Sequence, residues 1–167
     1  MNAIFTEQAM RPPQEARSVL VRATQGCTYN ECSFCYVSRG YPFLAASAEQ
    51  FEAELLAQKP SHGRSPEVYL TGSNPFALPT AKLASYIALL RKHFPHFSSL
   101  SMQTRIQDIR EKSLDELKEL KALGLTHLYT GTENGNDEAL RLMNKGHTAS
   151  EAIEQLLRLD EAGIEYV

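Results

Sequence analysis

The chain has 167 residues, which is enough for one domain with a hydrophobic core. Its contents of 43% hydrophobic and 22% charged residues are ordinary for a globular protein. With 17 basic and 20 acidic side chains the net charge is -3. The sequence has no basic stripe, so nothing in it favours the binding of nucleic acid by this segment itself.

The chain is predicted to open with an irregular lead-in over residues 1–16, in which Pro12 and Pro13 oppose regular structure. This lead-in lacks the long apolar run of a signal peptide or a membrane span, so no membrane partner is expected. A first strand is predicted over residues 18–21. A loop with the cysteines follows, and then a turn signal at residues 40–42.

Helices and strands are predicted to alternate through the rest of the chain. Capping boxes predict helix starts at Ser47, Ser113 and Thr148, and Thr80 is expected to cap another helix. The apolar residues at helical spacing are Phe51 and Leu55, then Leu83, Ile87, Leu90 and Phe94, then Leu114, Leu117 and Leu120, and finally Ile153, Leu156 and Leu157. A polar loop is predicted over residues 59–66, and further strands over residues 68–71, 100–103, 127–130 and 164–167.

Five strand candidates alternating with four helices predict an α/β fold built from parallel βαβ units. A doubly wound sheet is one possibility. A partial (β/α) TIM-like barrel fits better, because polar residues follow several strands at the edge where such folds place their sites. The predicted core covers residues 17–167, and we expect it to be truncated at its C-terminal end because the last strand has nothing to cover it.

Cys27, Cys32 and Cys35 are the only cysteines and fall within one short loop. Three thiols cannot all pair as disulfides, and three is one short of a closed tetrahedral metal site. Such a loop suits an iron–sulfur cluster whose fourth iron stays free to bind something else. Clustered cysteines without a secretion signal also predict a cytoplasmic location.

Two alternatives stay open for these cysteines. Structural zinc would need a fourth ligand, and no histidine lies at the usual short spacing; the candidates are His62, His93, His96, His127 and His147. Free cysteines can also be buried and inert, but the polar neighbours of these three do not resemble a core.

The cysteine loop and the alternating elements resemble the radical S-adenosylmethionine (radical SAM) superfamily from about Arg17 onward. That family usually spaces its cysteines CX3CX2C with an aromatic residue before the last one. This chain has CX4CX2C, with Phe34 in the aromatic position. The resemblance implies a partial (β/α)6 barrel, of which the last strand or two would be missing here.

The resemblance also implies the chemistry. In the family three cysteines hold a 4Fe–4S cluster, and SAM binds the fourth iron through its amino and carboxylate groups. Reductive cleavage of SAM then gives a 5′-deoxyadenosyl radical that abstracts hydrogen from a substrate. The chain is thus expected to be an enzyme of oxidoreductase or transferase type with an unknown substrate, served by a flavodoxin- or ferredoxin-like electron donor.

Several further residues are candidates for contact with SAM. Residues 72–75 resemble the Gly-Gly-Glu-Pro motif of the family, with Ser73 and Asn74 in place of Gly and Glu. The alternative is a Pro-containing turn that leads into a helix, and the motif gains weight from the cysteine loop. Glu133 matches an acidic position in one branch of the family. The remaining candidates are Gly72 in that motif, Arg105 for the SAM carboxylate, and Phe34 and Tyr36 beside the adenine.

Ordinary roles compete with each of these assignments. Glu133 is alternatively a solvated loop carboxylate, Arg105 a surface arginine, and Phe34 or Tyr36 a core aromatic residue. Lys145 is a further cation for SAM or substrate, but a solvated lysine is the favoured interpretation. At the level of the whole protein, the alternatives are a non-catalytic iron–sulfur protein with a structural or electron-transfer role, and an inactive fragment of a radical SAM enzyme.

Overall fold

A computed structural model describes residues 5–58 and 66–167. The polar loop predicted over residues 59–66 lies outside the described residues except for Pro66. The sequence predicts irregular structure around Pro12 and Pro13, but residues Pro13–Glu15 form a 3-10 helix. Proline suits this position, because its fixed φ matches the first turn of a helix. Its lack of an N–H costs nothing there, since the first N–H groups of a helix make no hydrogen bond within the helix.

Short strands flank the cysteine loop. Strands β1 (Val19–Arg22) and β2 (Thr24–Gln25) precede it, and β3 (Leu44–Ala45) follows it and pairs antiparallel with β2. The later elements in chain order are α1 (Ala48–Gln58), β4 (Glu67–Thr71), a 3-10 helix (Pro75–Ala77), α2 (Thr80–His93), β5 (Ser99–Thr104), α3 (Ile106–Arg110), α4 (Leu114–Leu123), β6 (His127–Thr130), α5 (Asp137–Leu142), α6 (Ala149–Ala162) and β7 (Glu165–Tyr166).

Within the described residues, five parallel strands form one sheet in the order β1-β4-β5-β6-β7. Each strand of this sheet pairs with the sheet's next strand in chain order, as in a barrel, and the order does not reverse as in a doubly wound sheet. The predicted partial (β/α) barrel is therefore confirmed, and the sheet stays open. In the part of the chain that the structure describes, no helix is both long and apolar enough to cross a bilayer.

The helices cover the outer face of the sheet and form the core with it. Alternate strand residues such as Val19, Leu70 and Leu100 pack there against helix residues such as Phe51 and Leu83. The capping boxes predicted at Ser47, Ser113 and Thr148 are all formed. The prediction for Thr80 is wrong: Pro79 is the N-cap, and Thr80 already lies in the first turn of α2.

The predicted apolar face of α6 is only partly the buried one. Ile153 and Leu157 are each 61% exposed. The side of α6 that packs inward carries Ala152, Gln155, Leu159 and Ala162. This buried side includes a glutamine, so the spacing of apolar residues alone does not identify it.

The inner face of the sheet is polar, and the N-terminal segment covers it. Glu15 is buried there and accepts hydrogen bonds from Ser18 Oγ, from Ser101 Oγ at 2.6 Å and from Tyr129 OH at 2.8 Å, and its Oε1 lies 3.0 Å from Nε2 of His127. Burial raises the pKa of Glu15, but these hydrogen bonds outweigh burial and leave the pKa below its usual value. One carboxylate therefore ties the segment to β5 and β6.

We expect Glu15→Gln to destabilise the fold by about 1–3 kcal/mol at pH 7, because a buried charged acceptor is lost. A lowered pKa gives stability that is complete above the unfolded-state pKa, near 4.5, and that is lost as the pH falls through the lower folded value. The difference between parent and variant should therefore shrink in acid. Urea unfolding at pH 7 and below 4.5 measures it, with the exposed Glu119→Gln as a control. A difference that stays constant across this range would contradict the assigned role.

Candidate active site

A cavity of about 360 Å³ opens where the parallel strands end. Parallel strands finish at the same edge of a sheet, so the loops that follow them meet there. Most of the residues singled out in the sequence line this one cavity: Cys27, Cys32, Cys35, Phe34, Gly72, Ser73, Arg105 and Glu133. Their individual roles stay predictions, but the fold brings them together.

The cysteine loop begins with a turn that requires glycine. Gly26 has φ +74°, and a Cβ there would lie 2.5 Å from the carbonyl oxygen of Pro42. Further along, Asn30 adopts φ +55° and donates from Nδ2 to the carbonyl of Ser38 at 2.9 Å. The N–H of Cys35 donates to the carbonyl of Cys32 at 3.2 Å, which makes a tight turn between the last two cysteines.

Contacts to the segment after α5 hold the middle of the loop. The Ser33 N–H donates to the Met143 carbonyl at 2.9 Å, and the Ser33 hydroxyl donates to the Leu142 carbonyl at 3.0 Å. Asn144 Nδ2 donates to the Glu31 carbonyl at 2.8 Å. Residues more than 100 positions apart are thus joined, and the segment after α5 holds the cysteine loop in place.

The three thiols are partly exposed and free, so they are not inert core residues. Burial raises the pKa of the Cys32 thiol above its usual value, and the positive charge of Lys145 partly offsets this. Among the described residues, no three Cys, His, Asp or Glu side chains lie close enough to hold one metal ion, and no described histidine lines the cavity. The described residues that line the cavity therefore include no histidine that could be the fourth ligand of a structural zinc ion.

Lys145 is buried, although the sequence favours a solvated lysine at this position. It is 6% exposed, its Nζ lies 3.2 Å from Oε1 of Glu133, and it sits 5.7 Å from the centre of the Phe34 ring. Glu133 has φ +62°, which directs this loop after β6. The prediction of a solvated lysine is therefore wrong: Lys145 forms an ion pair with Glu133, and both residues line the cavity together with Cys32.

Arg105 directly follows β5 and is the N-cap residue of α3, a helix that the sequence did not reveal. Its guanidinium lies 4.4 Å from the centre of the Tyr29 ring, and Nη1 donates to Thr28 Oγ1 at 3.4 Å. The arginine thus lines the cavity while it packs on the cysteine loop.

Two candidate residues do not line the cavity. Asn74 is fully buried, and its side chain accepts from the Thr28 N–H at 3.3 Å and donates to Thr28 Oγ1 at 2.8 Å and to Asp108 Oδ2 at 2.9 Å. It therefore supports the cysteine loop from below. Tyr36 is 79% exposed on the outer side of the loop.

Some cavity residues were not found from the sequence. Gln103 and Tyr129 point inward from β5 and β6, and Glu7 and Met10 come from the N-terminal segment. The alternation of inward and outward residues along a strand is the signal that would find the first two. Nothing in the pattern of residues 1–16 marks the others.

A profile of the radical SAM superfamily matches residues 21–167, nearly the whole chain. The chain belongs to this superfamily. Its CX4CX2C motif lies where the family places its cluster loop, and the predicted cofactors, a 4Fe–4S cluster and S-adenosylmethionine, are those of the family.

Similar proteins include two coproporphyrinogen III oxidases, of which the Salmonella typhimurium protein is described as oxygen-independent. The Salmonella typhimurium protein is 28% identical over 152 residues, which make up 86% of this chain and 32% of that protein. The Escherichia coli structure, described as a radical SAM enzyme, has a TM-score of 0.63 at 26% identity and covers 89% of this chain and 36% of that chain. This chain therefore spans about a third of the length of these relatives.

A second structural relative shares the fold at lower identity. OxsB, a cobalamin-dependent radical SAM enzyme solved with aqua-cobalamin and S-adenosylmethionine bound, gives a TM-score of 0.72 at 20% identity. The match covers 88% of this chain and 22% of that chain. The likeness supports the barrel architecture of the core.

We expect Asn74→Asp to destabilise the protein by about 1–3 kcal/mol at neutral pH, because a second buried carboxylate would face Asp108. Combining it with Asp108→Asn restores one charge and one amide, and more than half of the loss should return. Chemical denaturation of the parent, both single variants and the double variant measures this. Losses that simply add in the double variant would show that the two side chains do not interact.

Proposed function

We propose that this chain is the catalytic core of a radical SAM enzyme. The observation that carries the proposal is that all three cysteines share one cavity with a carboxylate and two cations, Glu133, Lys145 and Arg105. When bound, a 4Fe–4S cluster with SAM supplies reductive cleavage to a 5′-deoxyadenosyl radical, which abstracts hydrogen from a substrate.

The thiolates of Cys27, Cys32 and Cys35 would hold three irons, and the described residues offer no fourth thiol or imidazole to the cavity. The fourth position is thereby left to the amino and carboxylate groups of SAM. This donor set argues against an electron carrier, because such a protein usually fills the fourth position with a ligand of its own.

Glu133 and Lys145 carry opposite charges, as do the two groups at the methionine end of SAM. Glu133 would accept hydrogen bonds from the amino group, and Lys145 or Arg105 would pair with the carboxylate. Lys145 is buried and paired with Glu133, so the two opposite charges already lie side by side in the cavity. Gly72 and Ser73 line the cavity beside them with little side-chain bulk.

Apolar side chains would protect the chemistry. Phe34, Val37 and Met10 line the cavity, and Phe34 is 51% exposed at its mouth. Exclusion of water strengthens the charge pairs and protects a reactive radical. We further propose a reducing cytoplasmic location and a flavodoxin- or ferredoxin-like electron donor that approaches the exposed outer side of the loop near Tyr36 and Arg39.

The decisive experiment is anaerobic reconstitution with iron and sulfide. We expect a brown protein that converts SAM to 5′-deoxyadenosine and methionine once it is reduced, as measured by chromatography. Alanine at any one of Cys27, Cys32 or Cys35 should abolish the conversion, because a thiolate ligand is lost. Bound mononuclear zinc, or cleavage of SAM by the triple alanine variant at the parent rate, would refute the proposal. A parent with an intact cluster and no cleavage would favour the inactive fragment.

A second variant tests the SAM contacts separately from the cluster. Glu133→Ala should weaken SAM binding about tenfold or more, because a charge-assisted hydrogen bond is lost, while iron content stays at the parent level. Equilibrium binding of SAM and iron analysis measure the two effects. Glu138→Ala is the matched control, since Glu138 is exposed on α5 and does not line the cavity. Unchanged affinity in Glu133→Ala would remove this residue from the site.

A further inference from the structure

The N-terminal segment, residues 5–16, forms one wall of the candidate active site. The superfamily profile begins at residue 21, after this segment. Nevertheless Glu7, Gln8, Met10 and Pro12 line the cavity together with the cysteines. The wall is fixed at one end by Glu15 on the inner face of the sheet and at the other by Glu7 at the cysteine loop.

Glu7 is a buried carboxylate at the point where the cysteine loop begins and ends. It is 5% exposed, and its Oε2 accepts from the N–H of Gly26 at 2.8 Å, immediately before Cys27. Its Oε1 accepts from Ser38 Oγ at 2.6 Å, three residues after Cys35. One side chain thus joins both ends of the loop that carries all three cysteines.

The same carboxylate also reaches the turn after β4. Ser73 Oγ donates to Glu7 Oε1 at 2.9 Å and makes a close contact with Ser38 Oγ. Ser73 belongs to the turn that resembles the SAM-binding motif of the family. The cysteine loop and this turn therefore meet on a single buried anion.

The backbone of Glu7 is held by the strand that it supports. Gln25 Oε1, at the end of β2, accepts from the Glu7 N–H at 3.1 Å and from the Thr6 N–H at 2.6 Å. Gln25 therefore binds the backbone of residue 7, while the side chain of residue 7 binds the backbone of Gly26. This reciprocal arrangement fixes Glu7 relative to the first cysteine.

Glu7 is not placed to be a ligand itself. Its two oxygens already accept hydrogen bonds from one N–H and two hydroxyl groups of the chain. A buried carboxylate with this many donors is satisfied by the protein, whereas Glu133 is partly exposed and has Lys145 as its partner in the cavity. These hydrogen bonds suit a carboxylate that holds the conformation of the cysteine loop.

We infer that Glu7 is a positioning residue that holds the cysteine loop and the Gly72–Ser73 turn in the relative placement needed to bind SAM at the cluster. This inference rests on the proposed function for its consequence, but the contacts of Glu7 can be tested without a cluster. With Glu7 in this role, residues 5–16 form part of the candidate active site, in contrast to the irregular lead-in that the sequence predicts.

The first test uses the metal-free chain and amide hydrogen exchange. Glu7→Ala should raise exchange at Gly26 and through residues 27–38 by about tenfold or more, because a buried N–H loses its acceptor. Glu7→Gln should recover most of the protection, since an amide oxygen can still accept from Gly26. Gln14→Ala, an exposed position in the same segment, should change nothing. Parent-like exchange in Glu7→Ala would overturn the inference.

The second test uses the reconstituted protein. Glu7→Ala should bind SAM about tenfold or more weakly and lose the change that SAM makes in the electron paramagnetic resonance spectrum of the reduced cluster, with Glu7→Gln restoring most of both. A parent-like spectrum and affinity in Glu7→Ala would contradict the positioning role. A parent protein that assembles no cluster would instead refute the proposed function, and the exchange data would still decide the role of Glu7.

If Glu7→Ala does not fold, Ser38→Ala provides the same test with less disturbance. It removes one of the two hydroxyl donors to Oε1 and leaves the carboxylate in place. Exchange in the loop should then rise by about tenfold or more, in line with the loss of one hydrogen bond to a charged group. No change in exchange would show that the carboxylate does not hold the end of the loop.

Discussion

The cysteine loop has no regular structure of its own, so its shape depends on hydrogen bonds to the rest of the chain. Residues 27–39, all described, contain no helix and no strand. Backbone groups there are instead satisfied by Asn74 below the loop, by Asn144 beside it and by Arg39 within it. Asn74 lies just before the 3-10 helix Pro75–Ala77 and Asn144 lies just after α5, so elements of the barrel place these two partners. The site is therefore only as ordered as the barrel around it.

The parallel sheet gives these partners a common place. Turns after β4, β5 and β6 reach the same edge, and they bring Asn74, Arg105 and Glu133 to a loop that lies at least 35 residues earlier in the chain. An antiparallel sheet would place successive turns at opposite ends. Two buried carboxylates, Glu7 and Glu15, then attach the N-terminal segment to this assembly. Hydrogen bonds thus attach the N-terminal segment to the inner face of the sheet, whereas apolar packing attaches the helices to the outer face.

Local signals predicted the fold well. The capping boxes at Ser47, Ser113 and Thr148 were sufficient because an N-cap is decided by a few neighbouring residues. The parallel strands followed from the regular alternation of helix and strand. Short helices such as α3 and α5 were not predicted, because five or six residues are too few to show a helical period. The position of residues 5–16 was not predicted for a different reason, since it depends on contacts to residues far away in the sequence.

The site could be predicted only in part. The spacing of the cysteines predicted a metal-binding loop, because close thiols without a fourth partner restrict the metal, and the resemblance to the superfamily implied the chemistry. The burial of Lys145 could not be predicted, since it depends on the loop after β6 folding over it and on Glu133 as its partner. Equally, the exposure of Ile153 and Leu157 depends on which side of α6 packs more closely. Both are consequences of tertiary structure.

The amide at position 74 shows how such contacts change the meaning of a motif. The family motif has an acidic residue here that meets the amino group of SAM. In this chain the side chain of Asn74 instead lies between Thr28 and Asp108, 2.9 Å from the carboxylate of Asp108. A second negative charge at that distance, fully buried, would be strongly unfavourable. Asp108 thereby favours a neutral donor at position 74, and Asn74 does not line the cavity. This arrangement supports our proposal that Glu133, which does line the cavity and pairs with Lys145, binds the amino group of SAM instead.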